Sequence, residues 1–597
     1  MTAPLQDLQT EWASLLISAL ADAGVRDVVA SPGSRSTPFA LAAAREPRLR
    51  CLVVVDERSA AFVALGQARA TGRPSLLLCT SGTAPAHYLP AIIEASQAHV
   101  PLLVLSADRP LDLQDCAAPQ TVDQLKLFGD HVRRFVELGL PESSPGALRA
   151  VRRRAAQAAF DALHPLPGPV HLNVRARKPL EPHPASEAEL EQSRCVRDAA
   201  RKPTPRAFLP QVLASKDALD QVAQALRRAR RPLAVAGPAS VSRLTRRDDV
   251  TAFLEASGVP LLCDATSQLR FGAPPHRSWL DASDLLLSSP RLREAKPDLL
   301  LQLGAAPTTA GWESLVDGAC GVTHVVLAEH GWNDPANTAS LLVYGDEGHT
   351  LRGLAERLRG HATTLAGWTD TLRCANAAAW HCVDELLDSS GHLSEARAAR
   401  TLVSMLPSGA ALVVGNGLPI RLVDAHARAG TRELAVYSQR GANGIDGLVS
   451  GAAGTALATG RTTALLLGDL SLLHDLGGLA AARAVRAPFV IVVLQNDGGR
   501  IFEQLPVARA GLSEAELRLF TTPHGIAFRG AAETFGLPYA RVDSPAQLEA
   551  SLARALEHPG CTLIEAIVPP HEAATMRAEL LARVDAEFEP LFSGGAS

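Results

Sequence analysis

Residues 464–475 read ALLLGDLSLLHD, and residues 490–504 read VIVVLQNDGGRIFEQ. Each segment opens with an apolar run of strand type and breaks into glycine and polar residues. In open α/β sheets, ligands bind at the carboxyl ends of such strands. Asp469 offers a hard carboxylate oxygen and Asn496 an amide oxygen. On adjacent strand ends the two could face one ion. Oxygen-only donors suit Mg2+, with Mn2+ as the alternative, completed by water and a substrate phosphate. Gly468, Gly498 and Gly499 let a phosphate approach the backbone, and the free N–H groups of a following helix favour an anion. Either segment by itself reads equally well as a turn with an ordinary Asp or Asn. The pair, each after a buried-type strand, is much harder to explain that way.

Two further segments carry candidate chemistry. Residues 51–67 read CLVVVDERSAAFVALGQ, which sets Glu57 just past a strand at the start of a helix. A glutamate there complements the helix dipole, and Asp56 is its neighbouring competitor for any catalytic role. Residues 31–39 read SPGSRSTPF, a Gly-containing turn in which Thr37 could cap a helix with Pro38 at its first position. Arg35 would project from that turn; a solvated arginine on a capping turn is the plain alternative.

These residues need a scaffold, and the chain repeats one. Short apolar runs followed by longer Ala/Leu-rich helical patterns recur throughout, as in βα units with parallel sheets. A first set of runs covers 28–30, 51–55, 76–79, 102–105 and 170–174; a second covers 233–235, 261–262, 299–303 and 322–327; a third covers 411–414, 434–437, 464–467, 490–494 and 563–567. Charged, helical material spans about 350–395. The fold class is therefore α/β, with three doubly wound parallel-sheet domains at 1–185, 205–365 and 390–580. The Pro- and charge-rich stretch 180–205 reads as an exposed linker. No strong sequence repeat relates the three sets, so any internal relation is architectural.

Composition narrows the function classes. The 597 residues are 47% apolar and 20% charged, with a net charge of −4, which leaves no strong nucleic-acid footprint. Arg152–Arg154 reads as a solvated helix face. Nine scattered cysteines without CxxC spacing argue against zinc and against a disulfide framework. The acidic N-terminal stretch lacks a signal-peptide pattern, and no apolar run reaches about 18 residues, so no transmembrane segment and a cytoplasmic location are expected. The segment LAVAGPASV at 233–241 has no convincing dinucleotide fingerprint, so no second nucleotide cofactor is expected in the central domain.

The Asp469–Asn496 pair resembles the metal–diphosphate motif of thiamine-diphosphate enzymes. Leu470 and Asp497 depart from its commonest form, which has Gly and a second Asn. The resemblance implies thiamine diphosphate as cofactor and Asp469, Asn496 and the carbonyl of Gly498 as metal ligands. It makes Glu57 the catalytic acid that bonds the aminopyrimidine ring. It also implies a pyrimidine-binding first domain, a diphosphate-binding third domain, and active sites shared between the subunits of a homodimer or homotetramer.

A longer set of segments is more specific: SPGSRSTP at 31–38, DERSAAFVALG at 56–66, CTSGTA at 79–84, SADRP at 106–110, GNGLPIRLVDA at 415–425, SQRGANGIDG at 438–447 and GDLSLLHDLGG at 468–478. Together they resemble the 2-succinyl-5-enolpyruvyl-6-hydroxy-3-cyclohexene-1-carboxylate (SEPHCHC) synthases of menaquinone biosynthesis. That family decarboxylates 2-oxoglutarate and adds the succinic-semialdehyde carbanion equivalent to isochorismate, giving SEPHCHC and CO2. Both substrates are dicarboxylates, and arginine forks bind carboxylates at two points. By motif, Arg35, Arg109, Arg421 and Arg440 fall on substrate-binding arginines, with Ser34 and Gln120 as polar partners. Asn416, Gly417, Gly444, Ser471, Gly468 and Phe502 fall around the cofactor, and Ile445 falls where a bulky residue props its bent shape. His87, Pro119 and Gly417 depart from frequent family residues. The stretch AAPTTAGWESL after Gly304 lacks a basic residue that some members use for a substrate carboxylate. Another thiamine-diphosphate carboligase or decarboxylase is the nearest alternative, and a non-catalytic nucleotide-binding protein the alternative from another class.

Overall fold

The computed structural model describes residues 5–274, 276–318 and 321–593. The first four residues of the first expected domain lie outside these. The described chain holds three six-stranded sheets. The first contains β1 (Asp27–Ala30), β2 (Arg50–Val53), β3 (Ser75–Cys79), β4 (Leu102–Asp108), β5 (Arg134–Gly139) and β6 (Pro169–Arg175). The second contains β7 (Pro232–Ala236), β8 (Leu261–Cys263), β9 (Trp279–Leu280), β10 (Leu299–Leu303), β11 (Thr323–Ala328) and β12 (Leu341–Tyr344). The third contains β13 (Ala411–Val414), β14 (Ala435–Ser438), β15 (Thr463–Gly468), β16 (Phe489–Gln495), β17 (Tyr539–Val542) and β18 (Cys561–Ile567). Every pairing between these strands is parallel.

The first and third sheets share one strand order, β2-β1-β3-β4-β6-β5 and β14-β13-β15-β16-β18-β17. The second runs β12-β11-β10-β7-β8-β9. The internal relation absent from the sequence is thus present in topology. In the matching pair the order reverses between β1 and β3 and between β13 and β15, and a crevice at such a reversal is where α/β sheets bind ligands. Central strands such as β3, β4 and β6 are buried along their whole length. Helices on both faces of a parallel sheet require that near-continuous apolar character. The strands not anticipated from sequence, β5, β9, β12 and β17, are all edge strands.

The chain forms two compact units. The smaller contains the chain up to Pro210 together with Gln439–Gly460 and His474–Val485. It holds the first sheet, around a core that includes Trp12, Leu16, Phe39 and Leu172. The expected linker at 180–205 is partly helical: Leu190–Ala200 forms a helix whose Val196 and Ala199 are buried in this core, and Arg197 pairs with Glu11. Irregular, largely exposed chain follows from about residue 203. The larger unit holds the second and third sheets and a core that includes Leu300, Trp312, Trp380, Leu412 and Val490. Inside it, Arg270 and Asp424 form a buried ion pair at 2.6 Å. Among the described residues, no helix is long and apolar enough to cross a membrane.

Candidate active site

In the larger unit, β13, β15 and β16 lie side by side, and just past their carboxyl ends stand Asn416, Asp469 and Asn496 respectively. Asp469 is 1% exposed. Its Oδ1 accepts from the Leu470 amide at 2.6 Å and its Oδ2 from the Gly498 amide at 2.9 Å. Burial raises its pKa, against the stabilising bonds from those two amides. His524 stands at the same carboxylate, Nε2 to Oδ2 3.3 Å. Asn496 is buried as well, and its Nδ2 donates to Oε1 of Glu395. Burial lifts Glu395 to about 7, and the Asn496 bond opposes the lift.

The turn after Asn496 is built for close approach. Asp497 takes a left-handed φ of 60° and its Oδ1 accepts from the His524 and Gly525 amides at 2.9 and 2.8 Å. Gly498 has φ 128°, and a Cβ there would stand 2.0 Å from the Thr521 carbonyl oxygen, so only glycine fits. Ser471 is buried in the short helix that follows Gly468, and Phe502 packs against Phe520 with ring centroids 5.6 Å apart.

This donor set suits a hard cation. Asn496 Oδ1 is buried and accepts no hydrogen bond among the described residues. No group of three His, Cys, Asp or Glu side chains placed to hold a metal ion occurs among those residues. A cation held here would therefore draw on one carboxylate, amide and carbonyl oxygens and its ligand's phosphate, as Mg2+ does.

A cavity of about 400 Å3 adjoins Glu395 in the same unit. Arg421 lines it from the Leu418–His426 helix, where its Nη1 donates to the Gly417 carbonyl at 2.6 Å. Burial lowers the Arg421 pKa. Ile501 and Leu505 supply apolar wall, and Thr309 comes from the stretch that lacks a basic residue. Arg577 supplies a second guanidinium, paired with Asp284. Glu395, His524, Ile501, Leu505 and Arg577 join the site without a sequence motif of their own.

The smaller unit holds Glu57. Asp56 caps the Glu57–Thr71 helix by accepting from the Arg58 amide at 2.9 Å, which occupies that carboxylate and leaves Glu57, half-buried, as the one not used for capping. Beneath it lie Cys79 and Tyr88, fully buried, both pushed up first by burial and also by the charge of Glu57. This helix packs face to face with the Leu448–Thr459 helix through small residues. A Cβ on Gly66 would stand 2.0 Å from the Gly451 carbonyl oxygen, and Thr455 Oγ1 donates to the Gly66 carbonyl at 3.4 Å. The loop before that second helix carries Arg440, Gly444 and Ile445. Its Gly441 and Ala442 amides donate to the buried Glu94, which Arg69 of the Glu57 helix pairs at 2.7 Å. Ile445 is 39% exposed, so it does not serve as core packing in its own unit.

The remaining predicted residues of this unit gather at the ends of β1, β3 and β4. Arg35 is buried, with Nη1 donating to the Ala176 carbonyl at 2.8 Å and its backbone N–H to Thr80 Oγ1 at 3.2 Å. Ser34 beside it is exposed. Arg109 donates to Ser81 Oγ and reaches Gln120 Oε1 at 3.5 Å, while Gln120 Nε2 donates to the Ser81 carbonyl at 3.1 Å. Burial lowers the pKa of Arg35, and the nearby charge of Arg109 lowers it further. Two cations kept this close suit an anionic ligand.

Comparison with known proteins bears on both units. Residues 10–127 match the thiamine pyrophosphate enzyme N-terminal TPP binding domain, and residues 428–566 match the C-terminal TPP binding domain of the same enzymes. A protein of Sorangium cellulosum (strain So ce56) named 2-succinyl-5-enolpyruvyl-6-hydroxy-3-cyclohexene-1-carboxylate synthase is 48% identical, over 99% of this chain and 98% of its own. Proteins of the same name from Myxococcus xanthus (strain DK1622) and Geobacillus kaustophilus (strain HTA426) are 38% and 39% identical, over 97% and 94% of this chain and 98% and 95% of theirs. With identity of this extent along nearly the whole of both chains, the chain belongs to the 2-succinyl-5-enolpyruvyl-6-hydroxy-3-cyclohexene-1-carboxylate synthase family of thiamine pyrophosphate enzymes.

Proposed function

We propose that the chain decarboxylates 2-oxoglutarate and joins the remaining four-carbon unit to isochorismate by conjugate addition, giving SEPHCHC and CO2 in menaquinone biosynthesis. The observation that carries this reading is the placing of Arg421 in a cavity with the apolar walls Ile501 and Leu505. A guanidinium against apolar surface suits a carboxylate on a carbon ring. Arg35 and Arg109 offer a second cationic pair, and Arg440 a further guanidinium, so two dicarboxylates can be oriented and their charge screened.

Thiamine diphosphate, when bound, supplies a nucleophilic carbon and an electron sink for loss of CO2. Asp469, Asn496 and the Gly498 carbonyl would hold Mg2+ against its diphosphate, with Gly468, Ser471, Asn416 and Gly417 around it. Glu57 would hold a proton at the aminopyrimidine ring, Ile445 would support the bent cofactor, and Phe502 would pack beside it. On this reading, residues 1–185 bind the pyrimidine, residues 390–580 the diphosphate, and residues 205–365 form the central domain. Glu57 of one subunit would serve the cofactor held by Asp469 of another, in a homodimer or homotetramer.

A coupled assay for CO2 tests the reading. Release should require 2-oxoglutarate and rise sharply when isochorismate is added. Equal release from pyruvate with no acceptor would point instead to a simple 2-oxoacid decarboxylase.

A further inference from the structure

An asparagine side chain has two ends of nearly equal size, one that donates and one that accepts. Which end faces a site is decided by the hydrogen bonds around it. Asn496 is 6% exposed at the carboxyl end of β16, too enclosed for water to choose for it. Its Nδ2 donates to Oε1 of Glu395, a residue 101 positions earlier in the sequence and 4% exposed. Glu395 is placed by its backbone, and its Oε2 is buried with no hydrogen-bond partner among the described residues. It opens the Glu395–Met405 helix, whose cap Ser394 accepts from the Arg397 amide at 3.1 Å. The bond engages one N–H of the amide's donor end. The acceptor end, Oδ1, is buried with no hydrogen-bond donor among the described residues. The same turn is tied to Asp469 by the Gly498 amide at 2.9 Å.

We propose that Glu395 is a positioning residue for the metal: by accepting from Asn496 Nδ2 it locks the amide with its hard oxygen, not its NH2 group, available to the cation. If the amide turned over, a donor would face a dication and the site would lose an oxygen ligand. The proposal rests on the reading of Asp469 and Asn496 as metal ligands. Outer partners that orient metal ligands contribute about 10- to 100-fold to metal affinity.

The test is Mn2+ binding, followed by electron paramagnetic resonance in the presence of thiamine diphosphate and without substrate. Glu395→Leu should weaken Mn2+ binding by about 10- to 100-fold. Glu395→Gln, which keeps a carbonyl oxygen for Nδ2, should bind close to the parent protein. Glu395→Met serves where the leucine variant does not fold, with circular dichroism checking each. Parent-like affinity in the leucine or methionine variant overturns the proposal. Equal weakening by Gln and Leu also overturns it, because charge rather than the hydrogen bond would then be the cause. Asp469→Ala is the control on the underlying reading: if it too leaves Mn2+ binding unchanged, the metal site itself is misassigned.

Discussion

The backbone amide of Gly498 donates to Oδ2 of Asp469 at 2.9 Å, so the ends of β15 and β16 are fastened to each other through one of the proposed metal ligands. Asp469 therefore has two duties, as a prospective ligand and as a clasp on the Asn496–Gly498 turn. Asp469→Ala should abolish Mg2+-dependent binding of thiamine diphosphate in titration calorimetry. It should also loosen the turn, read as faster amide exchange over 496–499. Cofactor binding at parental affinity would remove Asp469 from the site.

Glu57 should act on turnover rather than binding. Glu57→Gln is expected to bind thiamine diphosphate and Mg2+ yet lose at least about 100-fold in kcat, the lower range for a positioned proton-transfer group. If subunits share sites, mixing Glu57→Gln with Asp469→Ala protein under conditions of subunit exchange should restore part of the activity. No recovery from a mixture shown to exchange would place both residues in one subunit's site.

Arg421→Ala should raise the KM for one dicarboxylic substrate by about 10- to 100-fold, the equivalent of roughly 1.5–3 kcal/mol for a charge-assisted hydrogen bond. Cofactor affinity should not move. A change confined to the cofactor would contradict the assignment.

Asp475 gives a pH dependence with a definite sign. It accepts from the Ser450 amide at 2.7 Å and from Ser450 Oγ at 3.0 Å, but burial dominates and lifts it to about 6. An unfolded aspartate titrates near 3.9, at about the ordinary value. Between those pH values the folded chain holds a proton that the unfolded chain has released. Stability from this group is therefore full below about pH 4 and falls as pH rises to about 6. Asp475→Asn cannot lose that proton. Its melting temperature relative to the parent should rise across this window, by the equivalent of about 1–3 kcal/mol. A constant difference from pH 4 to 7 would show that Asp475 is ionised throughout. Because Glu395 is displaced in the same direction, the comparison must be variant against parent.

Much of this architecture is legible in the order of residues. The interior strands carry unbroken apolar runs, such as VIVVL in β16, because both faces are covered. Two of the edge strands lack that signal. RFVELG in β5 and YARV in β17 are mostly half-exposed and alternate with charge, so they read as loop or helix. The Leu190–Ala200 helix was hidden for the opposite reason: its Pro- and charge-rich surroundings mask a narrow stripe formed by Ser193, Val196 and Ala199.

The site divides in the same way. Asp469 and Asn496 stand out because each follows a buried strand directly. Glu395 does not, since its partner lies 101 residues away, and neither does Glu94, whose bond from the Gly441 amide spans 347 residues. A glutamate at a helix start, as in Leu393-Ser394-Glu395, has an adequate local explanation in capping, and nothing nearby marks its distant bond.

The contact of Gly66 with Gly451 and Thr455 has a consequence for biogenesis. Thr455 and Gly66 are 389 residues apart, yet belong to one compact unit. At roughly 5–20 residues per second, a nascent chain waits tens of seconds between making the first helix and making its partner. Throughout that time the small-residue face around Gly66 is uncovered and open to wrong associations. A fragment that stops at Pro210 would retain the same exposed face. The smaller unit is therefore not a module that can be cut out as residues up to Pro210, and its folding can finish only once the segments 439–460 and 474–485 have been made.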